Sequence, residues 1–399
     1  MAKLRQGEVR FKGQRAGRID ERPDGSTLFT YDPGWNTPIG CPLPILPNVH
    51  AWRHGLHPFF QHLTAEGWLR ERQASVGNLD QEDDFGLLLR YGGDCIGAVS
   101  LHGLDGDRPS PPPAANLEPA TKAAVTSLRT LSGVQKKLLV ICAGEHYLPA
   151  GPDGPAPYIA KFNNDDIPTL VRNETLTLDL ARTLLGPQEV VESTNAQVGE
   201  VGHALVVKRF DRTEVDARLR LEDLCQVLVR PRGRQNEYKY DSSYEEAGQA
   251  IAAHSVRPEI DRLRFFKLVA VHALLGNCDA HLKNFSLLER PEGLRLAPAY
   301  DVVNSIPYRD LGHSTRFALR IDGDYRQHDR VDRSLLITLA RNLGLPDRAV
   351  DQALADLHRS AKRVVERLRK ATAVEQESGF LSDYEQIVFS SYCRIFGDD

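Results

Sequence analysis

The stretch GNCDAHLKNFSLL, residues 276–288, follows an apolar run, FFKLVAVHALL (265–275), with the character of a buried helix. Gly276, Asn277, Asp279, His281, Lys283 and Asn284 then come in close succession. Packing does not call for so many different polar side chains at one helix exit. Asp279 and Asn284 stand five apart, the D-x-x-x-x-N spacing of a kinase catalytic loop. A carboxylate so placed orients an attacking hydroxyl and takes its proton, while the amide oxygen holds a magnesium ion. Asp301, in LAPAYDVVNS (296–305), supplies the second carboxylate that such a metal–phosphate site requires. A helix end followed by a solvated turn explains one Asp–Asn pair well. It explains poorly a pair joined to His281, Lys283 and Asp301.

Phosphoryl transfer also needs cations for the nucleotide. Lys161 closes the strand-like PYIAKF (157–162), and Glu174 lies in the next helix, where it can pair with Lys161. The plainer readings are an edge-strand lysine that guards against aggregation and a first-turn acid stabilising a helix dipole. The loop TLSGVQKKL (130–138) carries hydroxyls, a glycine and two lysines, yet contains neither G-x-G-x-x-G nor G-x-x-x-x-G-K-[ST]. By spacing alone it is equally a plain turn.

The rest of the 399 residues sets the frame. Apolar residues make up 41% and charged residues 26%, values that exclude bulk disorder. The 50 basic and 54 acidic residues leave a net charge of -4, so no global basic excess advertises nucleic acid. The six cysteines, Cys41, Cys95, Cys142, Cys225, Cys278 and Cys393, form no CxxC pair. They read as reduced and structural, which suits the cytoplasm. Met1 to Arg22 has no apolar core and is not read as a secretory signal, and the uncharged stretch Pro33 to Trp52 holds five prolines and is not read as a transmembrane span.

Residues 1–104 read as a first unit, with a strand at Thr27–Tyr31, a helix broken near Gly67 in Phe59–Gln73, and a strand at Ile96–Leu101. Residues 105–119 (DGDRPSPPPAANLEP) read as a stiff linker. Residues 120–213 read as a smaller lobe, with strands Leu138–Cys142, Tyr158–Phe162 and Ala204–Phe210 and a helix over Thr169–Leu185. Residues 214–399 read as helical: Leu221–Val229, Glu259–Leu275, Ser334–Leu343, Arg348–Thr372 and Tyr384–Ile395. Strands with one helix, then many helices, predict an α+β protein of two unequal lobes. The basic stretch 230–240 (RPRGRQNEYKY) reads as a solvated loop or as a dock for an acidic or nucleic-acid-bound substrate.

The segments LSGVQKKL (131–138), PYIAKF (157–162), NETLTLDLARTLLG (173–186), ALVVKRFDR (204–212), RLEDLCQVL (220–228), GNCDAHLKNFSLL (276–288) and LAPAYDVVNS (296–305) occur in one order. In that order the chain resembles the HipA family of bacterial serine/threonine kinases, the toxin half of HipBA-type toxin–antitoxin modules. The resemblance implies a two-lobed protein-kinase-like fold with a mixed α/β N-terminal lobe and an all-helical C-terminal lobe, and ATP and Mg2+ as cofactors. It implies Asp279 as the base, with His281 and Lys283 beside it, Asn284 and Asp301 as metal ligands, and Lys161 as the ATP-phosphate lysine. Lys208, Arg209, Phe210 and Asp211 match the hinge, with backbone toward adenine and Asp211 toward the ribose. Thr130 to Lys137, including Ser132, Gly133, Val134, Gln135, Lys136 and Lys137, match the phosphate loop, with Thr130 and Ser132 as candidates for inhibitory autophosphorylation. The implied partners are a HipB-like helix-turn-helix antitoxin, through which operator DNA is bound, and a protein substrate of the kind that includes aminoacyl-tRNA synthetases, with no membrane. Two positions depart from the family: Lys208 stands where some members carry an acid, and Thr130 where a serine is usual.

Two other functions fit parts of the pattern. A small-molecule phosphotransferase also uses a D-x-H-x-x-N loop, but usually with His-Gly before the Asp, where this chain has Asn277-Cys278. A quiet antitoxin-binding co-repressor subunit predicts broken catalytic positions, and the matched ones are intact.

Overall fold

Strand-forming alternation opens the chain. In β1 (Gln6–Phe11) Val9 and Phe11 point inward, and β2 (Gln14–Glu21) and β3 (Thr27–Tyr31) repeat the pattern with Ile19, Phe29 and Tyr31. With β4 (Val49–Trp52) and β5 (Val99–Gly103) they make an antiparallel sheet of order β4-β3-β2-β1-β5. Helices α1 (Pro58–Gln61), α2 (Gly67–Gly77) and α3 (Asp84–Tyr91) follow β4 in the chain, and Phe59, Phe60, Phe85 and Leu88 join the sheet's core. The computed structural model describes residues 4–104, 117–131, 133, 135–372 and 379–397. Most of the expected linker therefore lies outside the described residues. Its last part is not linker: Glu118 caps helix α4 (Pro119–Thr126), accepting from the Thr121 N–H at 3.1 Å.

A closed five-stranded barrel follows, of order β10-β8-β6-β7-β9. Its strands are β6 (Lys137–Ala143), β7 (His146–Pro149), β8 (Tyr158–Lys161), β9 (Ser193–Val198) and β10 (Gly202–Lys208). Helix α5 (Leu170–Leu185) lies between β8 and β9 in sequence. The helix expected over Leu221–Val229 is instead a short strand, β11 (Leu221–Asp223), and one turn, α6 (Leu224–Val227). The cause is Asp223, which caps residue 226 from an extended backbone, while Val229 at φ +53° stops the chain from coiling on.

Packing divides the chain into two compact units, residues 1–171 with 192–238 and residues 172–191 with 239–399. The second unit holds most of α5 together with α7 (Tyr244–His254), α8 (Pro258–Leu275), the hairpin β12 (Ser286–Arg290) and β13 (Gly293–Leu296), α9 (Arg333–Asn342), α10 (Asp347–Thr372) and α11 (Phe380–Phe396). The lobe expected to be all-helical is thus mainly helical and carries one antiparallel hairpin. Helix α8 is its axis, buried nearly all round from Phe265 to Leu275. Helix α10 shows one apolar stripe, Val350, Leu354, Leu357, Ala361, Val364 and Leu368, under an exposed basic face.

The basic stretch 230–240 is not simply a solvated loop. Arg232 is buried, and its guanidinium pairs with Asp84 at 3.0 Å and Glu82 at 2.8 Å. Among the described residues no helix is long and apolar enough to cross a membrane.

Candidate active site

In the second unit α8 ends because Gly276 turns left-handed at φ +75°, and a Cβ there would sit 2.5 Å from Asn304 Oδ1. The next residues are stitched to the chain around Asp301. The Ser305 N–H donates to the Gly276 carbonyl at 3.0 Å, and the Cys278 N–H donates to Ser305 Oγ at 3.0 Å. Burial pushes the Cys278 thiol up to about 12, so it stays a protonated packing group. Asn277 accepts the Asp279 N–H at 3.1 Å, which leaves its amide to donate to His272 Nδ1 at 3.0 Å. Burial drives His272 down to about 3, so this imidazole is neutral at physiological pH.

Asp279 itself is exposed, at the tip of this braced loop. Its Oδ1 accepts the Tyr240 hydroxyl at 3.0 Å. The His281 N–H donates to the Asp279 carbonyl at 2.8 Å and to Asn284 Oδ1 at 3.1 Å. One lone pair of that amide oxygen is thus used and one remains. Lys283 and Asn284 are buried in a single 3-10 turn, Leu282–Asn284. Its Lys283 carbonyl accepts the Tyr300 hydroxyl at 2.9 Å, which ties the residue before Asp301 to this turn. Asp301 is held at φ +52°, a conformation costly for a non-glycine residue and typical of functional sites. An amide oxygen and a carboxylate on two braced loops are hard oxygen donors of the kind magnesium takes.

Glu174 is buried in α5 within this same unit. Asn173, its neighbour, donates to the Asn304 carbonyl at 2.8 Å and accepts the Asn304 N–H at 3.0 Å. This reciprocal pair joins α5 to the Asp301 segment. Sequence reasoning missed Asn173, Ser305 and Tyr240, since none stands in a spacing that announces a role.

The first unit holds the other predicted residues. Lys137 and Lys161 are directly opposite in the β6–β8 register, and both are buried. Gly133 takes φ +105°, and a Cβ on it would come within 2.2 Å of Lys137 Nζ. Gln135 and Lys136 zip the loop to the end of β8: the Gln135 amide donates to the Phe162 carbonyl, and the Phe162 N–H to the Lys136 carbonyl, both at 3.0 Å. The Lys136 ammonium is engaged elsewhere, 3.2 Å from Glu118 and over the Trp68 ring. Ser132 and Val134 lie outside the described residues. Thr130 is buried, and its hydroxyl has no hydrogen-bond partner among the described residues.

At the hinge segment the backbone N–H groups of Lys208 and Arg209 are already given to Glu192 and Pro157. The Lys208 ammonium pairs outward with Glu214 at 2.8 Å, and Phe210 is half-buried. Asp211, expected to approach the ribose, is a core ion. Its carboxylate accepts from Arg209 at 2.8 Å, Arg212 at 2.7 Å and the Gly97 N–H at 2.7 Å. Asp94 forms the other half of this network, 2.9 Å from Arg129, 2.6 Å from Arg212, 3.3 Å from Arg218 and 3.5 Å from Arg209. Burial works to raise Asp94, but the four guanidiniums prevail and hold it at about 2.

Comparison with known proteins fits this arrangement. Residues 129–365 match the family model of the HipA-like C-terminal domain, and residues 7–102 that of the HipA N-terminal domain. A protein of Sinorhizobium fredii named putative kinase Y4mE is 28% identical over 402 residues, covering 92% of each chain. The serine/threonine-protein kinase toxin HipA of Shewanella oneidensis is 26% identical over 67% of this chain and 64% of its own. A solved chain from the Shewanella oneidensis complex of HipA, HipB and operator DNA superposes with a TM-score of 0.75 at 20% identity, over 99% of this chain and 98% of that one, which establishes the shared fold.

Proposed function

The chain belongs to the HipA family of toxins, and on that premise we propose that it is an ATP- and Mg2+-dependent serine/threonine protein kinase, the toxin of a type II toxin–antitoxin pair. The observation that carries the reading is the exposed Asp279 carboxylate on a loop braced from both sides, with Asn284 three residues past His281 and Asp301 tied to the same turn. Asp279 orients the acceptor hydroxyl and takes its proton. Asn284 and Asp301 hold magnesium, which when bound neutralises charge on the phosphoryl group being transferred. His281 fixes the loop through its N–H, and Lys283 through its carbonyl. In the first unit Lys161 and Lys137, directly opposite in the β6–β8 register, are the residues assigned to phosphate oxygens. We assign Asp211 to the core network rather than to the ribose, and leave adenine recognition to the backbone around Phe210.

In this reading residues 1–104 form the N-terminal subdomain, 120–213 the N-lobe and 214–399 the C-lobe. Autophosphorylation on Thr130 requires the loop to open, because the hydroxyl is buried; Ser132 is the other acceptor. A HipB-like helix-turn-helix antitoxin is the proposed partner, through which operator DNA would be bound; the solved complex of the relative holds HipA, HipB and operator DNA. The acceptor is a cytoplasmic protein of the class that includes aminoacyl-tRNA synthetases. The test is incubation of the full chain with Mg-ATP and a bacterial lysate, with and without a metal chelator, and mapping of phosphosites by mass spectrometry. Phosphate on Thr130, Ser132 or a lysate protein that chelator abolishes supports the proposal. ATP binding with no phosphoprotein formed would turn the reading toward a small-molecule phosphotransferase.

A further inference from the structure

We infer that Tyr240 is a positioning residue for phosphoryl transfer, holding the Asp279 carboxylate in the orientation that receives the acceptor proton; the inference rests on the kinase reading above. The Tyr240 hydroxyl donates to Asp279 Oδ1 at 3.0 Å. Asp279 is exposed, and no other side chain among the described residues is bonded to that carboxylate. An exposed aspartate otherwise turns freely about χ1 and χ2, and a base that samples many rotamers spends little time aligned with its substrate. With Oδ1 occupied by the phenol, Oδ2 is the oxygen left for the incoming hydroxyl.

Tyr240 is itself anchored. Its carbonyl accepts the Ser242 N–H and the Tyr325 hydroxyl, each at 3.0 Å. Its ring meets the His281 ring edge-on, with centroids 5.3 Å apart, and the Lys239 ammonium lies 5.2 Å from its centroid. Tyr325 is held in turn under the Arg316 and Arg320 guanidiniums. These contacts decide between two roles. A phenol within proton-transfer reach of the base also resembles an acceptor hydroxyl, so Tyr240 would act as a plug if it could leave. Leaving means giving up the ring contacts with His281 and Lys239, which a fixed brace never has to do.

The two roles predict opposite signs for one substitution. Tyr240→Phe keeps the ring on His281 and removes only the O–H. For the full chain with Mg-ATP, loss of a hydrogen bond to a charged group should lower kcat by about tenfold or more, with KM for ATP unchanged within about twofold. The urea unfolding midpoint should stay at the wild-type value, because the donor and acceptor are both reached by water. A kcat that is unchanged in Tyr240→Phe, or that rises, overturns the inference, and so does a fall in kcat/KM carried by KM for ATP. Wild type and Asp279→Ala are run beside it. An active wild type with a fully active Tyr240→Phe defeats only the role of Tyr240, whereas a wild type no better than Asp279→Ala defeats the kinase reading and the inference with it.

Discussion

Asp94→Asn is the sharpest probe of what holds the first unit together. The wild-type carboxylate answers four guanidiniums, those of Arg129, Arg209, Arg212 and Arg218, and the Asn amide answers none of their charge. Removing one member of a buried ionic network costs about 3–5 kcal/mol, because the remaining charges stay buried and uncompensated. The pH dependence gives an independent figure. Asp94 titrates at about 2 in the fold against 3.8 ordinarily, and at 1.36 kcal/mol per pH unit this represents roughly 2 kcal/mol. A carboxyl depressed by folding contributes stability that is fully present above its unfolded pKa and is lost as pH falls through the folded one. The gap between wild type and Asp94→Asn should therefore be widest above about pH 5 and narrow by roughly 2 kcal/mol toward pH 2. Trp35, Trp52 and Trp68 are the three tryptophans of the chain, and all lie in the first unit, so urea unfolding followed by tryptophan fluorescence reports on it. A gap under about 1 kcal/mol at pH 7, or one that stays constant from pH 7 to pH 2, refutes the argument.

The second unit makes its own predictions. Asn173→Ala strands the buried N–H and C=O of Asn304 and should cost about 2–3 kcal/mol, read as a lower urea midpoint in far-ultraviolet circular dichroism. Gly276→Ala forces a side chain into φ +75° against Asn304 Oδ1. It should destabilise by about 1–3 kcal/mol and slow transfer, whereas a wild-type midpoint would mean that the turn is not constrained. Asp301→Asn keeps the volume but removes a charge from the proposed metal site, so the Mg2+ concentration for half-maximal transfer should rise about tenfold or more. An unchanged Mg2+ dependence would remove Asp301 from the ligand set.

Some of this was open to reading in the residues. Helix α8 announces itself by eleven nearly unbroken apolar residues, and the dense polar run after Gly276 marks the loop because local spacing alone sets Asp279, His281 and Asn284 on one turn. The long helix α10 is legible for the same reason, its apolar stripe recurring at helical period. What escaped depends on partners far away in sequence. Nothing near Asp211 discloses that Gly97 donates to it, nor that Arg209 is shared with Asp94. The family resemblance alone implies Asp211 as a ribose ligand, whereas its carboxylate is engaged in the core network. Strands β7 and β9 bury little, β7 having no buried residue and β9 only Val198, so barrel closure rather than an apolar face defines them. The apolar spacing of RLEDLCQVL is helical throughout, yet the Asp223 cap starts the helix late and Val229 ends it early. Tyr240 sits in a polar, basic stretch that composition marks as solvent-facing, and only its bond to Asp279 distinguishes it.

As the proposed base, Asp279 should serve phosphoryl transfer without providing any of the nucleotide binding. The direct measurement is ATP affinity and phosphate transfer from labelled ATP, made side by side on wild type and Asp279→Ala. The two affinities should lie within about twofold of one another, and the transfer rate should be at least about a hundredfold lower in the variant. Transfer that survives in Asp279→Ala at the wild-type rate would contradict that role.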